Sequence, residues 1–396
     1  METTDACLGL ECVDCGASAD VGERGRCRDC GGLFDTQYEY DDIDLDRETL
    51  ESRRFDSLWR YEEVLPFARE AAVTTSEGAT ALVECPTLAD ELGVERVLIK
   101  DEARNPTGTT GDRGGSVAVT AAKERGANDV AVVSPGETGQ SIAAYAGRAG
   151  LESHVYLPSR SGFTSKAMVN VHGGDMNVVG GRFDDAEAAF EEGLENHDEW
   201  HSLRAFDTPF RHEGAKTVLY EIVEQLEWEV PDVVCCPTGQ GVGLVGAYKG
   251  ATELRRLGLV DERPALYAAQ AAGCAPIVDA VEAGRDVHGP VETPDTICGG
   301  VEIPDPIAGS WILEAIRETD GGAVASDDGE ILEAGVQIAA HEGLEMTPTA
   351  ATAASAAWNL AERGEFDGDE TVVVLNTASA NKEADVLRSH LMSQGV

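Results

Sequence analysis

The sequence predicts an α/β protein built as two three-layer domains, each a parallel sheet between helices, preceded by a small cysteine-rich ribbon. Three observations carry this. Short apolar runs recur between helical patterns, as in Val130-Ala131-Val132-Val133 and Val372-Val373-Val374-Leu375; strands apolar on both faces belong to parallel sheets covered by helices. Two Cys-x-x-Cys pairs stand ahead of the first such run. The 396 residues, 42% of them hydrophobic, suffice for two large cores.

The ribbon comes first. Cys12-x-x-Cys15-Gly16 and Cys27-x-x-Cys30-Gly31-Gly32 have the spacing of a zinc ribbon, in which each knuckle turns two thiolates toward one tetrahedral point. Four cysteines close such a site, so Cys12, Cys15, Cys27 and Cys30 imply a structural zinc, with Cys7 left over. A pair of disulfides would need an oxidising compartment, and the N-terminal Met1-Glu2-Thr3-Thr4-Asp5 has no signal-peptide character. Cys85, Cys235, Cys236, Cys274 and Cys298 sit in apolar contexts and read as small core residues.

After an acidic linker to about Arg54 the alternation begins. Strands are predicted at 94–100, 129–134, 153–157, 176–179, 232–236, 266–270, 323–326 and 371–375. Helices are predicted at 112–125, 138–149, 165–171, 184–194, 216–226, 244–257, 307–317, 329–341 and 349–363, with one more at the end. This divides the chain into the ribbon (1–45), a large domain (46–114 and 206–396) and a small domain (115–205).

Charge limits the partners. Asp+Glu number 73 against 30 Lys+Arg, a formal charge of −43, and only six of the basic residues are Lys. Such a field repels nucleic-acid phosphates and anionic membranes, and no apolar run is long enough to span a bilayer. Salt screens the self-repulsion, the Debye length falling from ~10 Å at 0.1 M to ~3 Å at 1 M. The expectation is a cytoplasmic, halophilic protein of a high-salt cytosol.

In doubly wound folds, ligands sit beyond strand C-termini. Three such exits are distinctive: Asn105-Pro106-Thr107-Gly108-Thr109-Thr110-Gly111-Asp112-Arg113-Gly114, Ser134-Pro135-Gly136-Glu137-Thr138-Gly139 and Pro237-Thr238-Gly239-Gln240-Gly241-Val242-Gly243. The last puts alternating glycines at a helix start, a phosphate cradle. With the ribbon, Leu58-Trp59-Arg60-Tyr61, Lys100-Asp101-Glu102, Glu213-Gly214-Ala215-Lys216-Thr217 and Ala275-Pro276-Ile277-Val278, these motifs resemble the threonine synthases. That family has the tryptophan synthase β-like fold type II of pyridoxal phosphate (PLP) enzymes, and the resemblance covers nearly the whole chain.

The resemblance implies PLP, a small phosphorylated or amino-acid ligand, and a homodimer. It assigns Gly136, Glu137, Thr138, Thr238, Gly239, Gln240, Gly241, Val242, Gly243 and Asn376 to the cofactor, and Ser76, Thr80, Asn105 and Thr107 to the substrate. The chain departs from the family at several of its key positions. In the family loop Asn-Pro-Thr-Gly-Ser-Phe-Lys-Asp-Arg-Gly the Lys forms the Schiff base; here Gly111 stands in its place, ahead of an intact Asp112-Arg113-Gly114. That removes a nucleophile and a proton shuttle together. Lys100 and Lys216 fall on a strand and a helix start, and all six Lys fall where the family has structural or surface residues. Glu137 replaces the Asn beside the cofactor's phenolic oxygen. Against Leu-Thr-Gly-His-Gly-Leu-Lys-Asp the chain reads Leu375-Asn376-Thr377-Ala378-Ser379-Ala380-Asn381-Lys382, placing Asn376 at the pyridine nitrogen. Thr347-Pro348-Thr349-Ala350 stands where the family usually has Glu-Pro.

Three readings follow. One is an impaired or repurposed homologue, a pseudoenzyme or a regulatory relative, that keeps a phosphate-binding cleft. Another is a working lyase, converting O-phosphohomoserine and water to threonine and phosphate with non-covalent PLP or another lysine. The third is different chemistry in the same cleft with Glu137 as acid or base. Whether the chain is an enzyme stays open on the sequence.

Overall fold

The computed structural model describes residues 1–393. Its N-terminal sheet places strand Cys7–Cys12 between Ser18–Ala19 and Phe34–Tyr38, antiparallel to both. The pleat turns Leu10, Cys12 and Phe34 inward, where they pack with Cys27.

A four-stranded parallel sheet follows, in the order Asp175–Val179, Glu152–Pro158, Asp129–Val133, His201–Ser202. The third sheet has six strands in the order Gly322–Ser326, Ala265–Ala271, Val233–Pro237, Thr371–Asn376, Arg96–Asp101, Ala81–Glu84. Every strand predicted from an apolar run is present within two residues of its expected ends.

One expectation is corrected: the larger sheet is mixed. Ala81–Glu84 runs antiparallel to Arg96–Asp101 at the sheet edge. Only partly buried, it carries no long apolar run, and it returns through the short helix Pro86–Leu92. An antiparallel neighbour needs no crossover over the sheet face. The short helices Arg47–Ser52 and Pro276–Glu282 also went unpredicted.

Buried ion pairs knit the layers. Arg113 is fully buried and contacts Glu102 at 2.7 Å and Glu221 at 2.7 Å. Lys100 joins the same group, 2.8 Å from Glu221. A second group anchors the N-terminal sheet. Lys249 lies 2.6 Å from Asp35 and 2.8 Å from Glu213, Lys216 lies 2.6 Å from Glu213, and Tyr38 donates to Glu213 at 2.6 Å. Asp35, His212 and Glu213 cluster closely enough to hold a metal, but the Lys249 and Lys216 ammoniums already pair with their two carboxylates.

The acidic helix Phe183–Asn196 exposes Asp184, Asp185, Glu191 and Glu192 and buries Phe183, Ala186, Phe190 and Gly193. Among the described residues no helix is long and apolar enough to cross a membrane.

Candidate active site

Three helices begin at one cavity. Each follows a strand exit singled out in the sequence: Gly111–Glu124, Glu137–Ala149 and Val242–Arg256. Helix N-termini present free N–H groups and a partial positive charge, so their convergence favours an anion.

At the third start, Gly239, Gln240, Gly241, Val242 and Gly243 line the cavity. Gly241 is the N-cap at φ 89°, where a side chain would be strained and would run into Ile312. A Cβ on Gly239 would lie 2.5 Å from the Gly300 carbonyl oxygen. The Gln240 side-chain oxygen accepts from the Ile307 N–H at 2.9 Å, which leaves its buried Nε2 without a partner. Thr238 stands back from the cavity, fully buried, its hydroxyl donating to the Cys236 carbonyl at 2.8 Å.

The other two starts bring Gly111, Gly136, Glu137 and Thr138 to the same space. A Cβ at position 111 would meet Thr109 Cγ2, Thr138 Cα and Thr138 Oγ1, each at 3.5 Å, so a side chain there has room to leave the backbone. Glu137 receives only a long contact, 3.5 Å, from the Thr109 hydroxyl. Burial, then the nearby Glu383, raises its carboxyl from 4.5 to about 8, against the pull of Lys382. Burial also raises Glu383 to about 7. Arg211 lines the cavity with two 3.4 Å contacts, to the Leu203 carbonyl and the Thr138 hydroxyl, and burial lowers it to about 10. It is a cation with capacity for an anionic ligand.

The structure does not bring the remaining predicted residues to this cavity. Thr80 donates to Glu102 at 2.6 Å inside the Arg113 group, and Asn105 braces the Gly78 N–H at 2.8 Å and Glu102 at 2.8 Å. Thr107 binds Asp112 through its N–H and its hydroxyl, both at 2.6 Å, and Ser76 is exposed on a turn at φ 68°. Asn376 is fully buried, its amide donating to Asp101 at 2.9 Å and to the Glu345 carbonyl at 3.0 Å. Thr377, one residue on, lines the cavity instead.

That offset favours a register one residue further along the family motif. Moved by one residue, the family's Thr-Gly-His-Gly-Leu-Lys-Asp pairs its Thr with Thr377, its Lys with Lys382 and its Asp with Glu383. Lys382 and Glu383, which sequence reasoning passed over, both line the cavity. So Lys382 is not a surface residue. The Thr347 change has a local reason: its hydroxyl caps helix Pro348–Glu362, accepting from the Ala350 N–H at 3.0 Å.

Away from the cleft, the metal-binding atoms of Cys12, Cys15, Cys27 and Cys30 lie within 4.8 Å of one another. A four-thiol cluster of this kind can hold a metal ion.

Comparison with known proteins fits this geometry. The family model described as "Pyridoxal-phosphate dependent enzyme" matches residues 73–378. The threonine synthase of Methanosarcina acetivorans is 36% identical over 376 residues, 94% of this chain and 92% of that protein. This chain belongs to the threonine synthase family of pyridoxal-phosphate dependent enzymes. The threonine synthase of Methanocaldococcus jannaschii is likewise 36% identical, over 94% of this chain and 93% of its own length. Among solved structures, an L-serine ammonia-lyase from Rhizomucor miehei superposes with a TM-score of 0.68 at 23% identity, covering 78% of this chain and 97% of that one, and so shares the fold.

The residues fit the family's cofactor at its phosphate end: the glycine cradle leaves backbone space there, and Gln240 Nε2 is a buried donor without an acceptor. At the carbonyl end, position 111 supplies no amine.

Proposed function

We propose that this protein is a threonine synthase-like member of the family whose cleft holds a small phosphorylated ligand, PLP first among them. Its catalysis has diverged because residue 111 supplies no amine. The carrying observation is the meeting of three helix starts at the Gly239–Gly243 cradle, opposite a glycine in place of the reacting lysine. Bound there, PLP would supply an electron sink for bonds at an amino-acid Cα.

The chain's own residues divide the remaining work. Residues 239–243 hold the phosphate through backbone N–H groups and Gln240 Nε2. Arg211 orients an anionic group of the second ligand. Glu137, protonated near neutral pH, offers a proton from its carboxyl where the family has an uncharged amide. The buried walls exclude water. Cys12, Cys15, Cys27 and Cys30 hold a structural zinc that orders the N-terminal sheet.

Calorimetry in multimolar KCl with pyridoxine 5′-phosphate and unphosphorylated pyridoxine tests the cleft. The phosphorylated compound should bind at least tenfold more tightly; equal affinities refute the cradle. Phosphate release from O-phosphohomoserine should be far slower than in the two archaeal relatives, and comparable rates refute the divergence.

A second reading, a working variant with another lysine, is favoured by one observation: the Lys382 amine lines the cleft.

A further inference from the structure

The structure sorts the six lysines by elimination. Lys100 is held by Glu221 at 2.8 Å, Gln225 at 2.7 Å and the Thr80 carbonyl at 2.9 Å. Lys216 lies between Glu213 at 2.6 Å and Glu253 at 2.8 Å, and Lys249 between Asp35 at 2.6 Å and Glu213 at 2.8 Å. Lys123 is exposed on its helix, and Lys166 donates to the Ser159 carbonyl at 2.9 Å. None of these five lines the cleft, and Lys382 does.

Lys382 also reaches the helix that faces position 111. It is 4% exposed. Its Nζ lies 2.5 Å from Gln140 Oε1, on the helix Glu137–Ala149, and a Cβ at position 111 would lie 3.5 Å from Thr138 on that same helix. The two positions thus converge on one helical turn from different strand exits. The Lys382 side chain passes Gly108 at ordinary packing distance, its Cε 3.5 Å from where a Cβ there would be. Its hydrogen-bond acceptor is a neutral amide, which tolerates an uncharged amine. Burial lowers its proton affinity, partly offset by Glu137 and Asp112.

We propose that Lys382 is the amine that bonds covalently to an aldehyde ligand held in this cleft, taking over the role that residue 111 has lost. The inference rests on the phosphate-cradle reading and deepens it. The Lys382 nitrogen lone pair adds to the aldehyde carbon and the C–N bond forms. The amine's two protons pass to the carbonyl oxygen, which leaves as water. Amine and aldehyde give imine and water, and nothing is oxidised or reduced. Glu137, protonated and facing the same space, is placed to hand a proton to the departing oxygen and to recover one from the nitrogen.

The test uses the full-length protein in multimolar KCl with two probes. Pyridoxal 5′-phosphate carries the aldehyde; pyridoxine 5′-phosphate has an alcohol in its place. After incubation with the aldehyde, borohydride reduction and peptide mass mapping should place the adduct on the peptide carrying Lys382. Its yield should fall at least tenfold in Lys382→Arg and Lys382→Met, while both variants bind pyridoxine 5′-phosphate within about threefold of wild type. Retained binding of the alcohol also shows that the variants are folded. Adduct on other lysines only, or no adduct while the alcohol binds, overturns the proposal and leaves the cradle standing. If neither phosphate binds, the cradle reading fails and the proposal falls with it.

Discussion

The raised carboxyl of Glu137 makes a quantitative prediction for Glu137→Gln. Its ordinary value of 4.5 rises to about 8 in the folded chain, chiefly by burial. Each pH unit of that displacement corresponds to about 1.4 kcal/mol, so the ceiling on its effect is ~5 kcal/mol. The folded state binds the proton more tightly than the unfolded state does. The benefit is therefore complete below about pH 4.5, declines as pH rises, and is gone above about pH 8. Glutamine is uncharged throughout and lacks this slope. Other groups around Glu137 titrate as well. Glu383, raised to about 7, slopes the same way, and so does Asp112, raised to about 6. Lys382, lowered by burial, slopes the opposite way. Subtracting wild type from variant gives the slope of Glu137 together with its coupling to Glu383 and Lys382. Urea unfolding at fixed multimolar KCl, from pH 5 to pH 9, supplies the measurement. The variant should gain on the wild type by several kcal/mol as pH rises, levelling off above pH 8. A difference constant to within ~0.5 kcal/mol across the range would refute a buried, protonated Glu137.

Four further predictions use other parts of the molecule. Arg113→Met strands Glu102 as a buried charge and leaves Glu221 with Lys100 alone, and should cost ~3–5 kcal/mol in urea unfolding; a loss below ~1 kcal/mol would mean that these carboxylates are hydrated. Gly241→Ala forces a side chain into the positive-φ N-cap against Ile312. It should lower stability by ~1–3 kcal/mol and weaken pyridoxine 5′-phosphate binding in calorimetry. Cys15→Ser should drop bound zinc from one per chain to well below one by metal analysis, and make the N-terminal sheet susceptible to proteolysis while the α/β core persists. Gly111→Lys should fold with little loss of stability, because the new Cβ meets its neighbours at 3.5 Å. Borohydride mapping should then find adduct at position 111.

The parts of this structure legible in the sequence share a physical cause. A strand buried on both faces must be a run of apolar residues, so Val130–Val133 and Val372–Leu375 announced themselves, and with them the loops at their exits. The clustering of the four cysteine thiols was legible because two Cys-x-x-Cys turns of matching spacing can bring their sulfurs to one point. The edge strand Ala81–Glu84 was not legible, since one half-exposed strand needs no apolar run. The buried ion pairs were hidden for another reason. Lys100 and Glu221 stand 121 residues apart in the chain, and no local pattern links them. Thr80 and Asn105 therefore read as ligand-binding residues when they brace the Arg113 group. The cleft residues 376–383 were obscured by register. The shift by one residue exchanges the fully buried last residue of the strand, Asn376, for the residue just beyond it that lines the cavity, Thr377.

The scarcity of lysine sharpens what Lys382 means. A chain of formal charge −43 with six lysines has nearly emptied its surface of that residue. Of the six, Lys100, Lys216, Lys249 and Lys382 are buried, so whatever disfavours surface lysine has left these in place. Three of the four have a carboxylate oxygen within 2.8 Å, which accounts for keeping a cation inside. Lys382 instead donates to an amide oxygen, in a cleft whose carboxyls Glu137 and Glu383 are themselves raised toward their neutral forms. For a charge there the loss of hydration outweighs the pull of Glu137 and Asp112. Retention as a structural counter-ion would call for an ionised partner at contact distance, as the other three have. An amine held by a neutral amide, its proton affinity lowered by burial, beside a carboxyl raised toward its neutral form is instead the arrangement that suits carbonyl addition, because the nucleophile needs a free lone pair and the departing oxygen needs a proton.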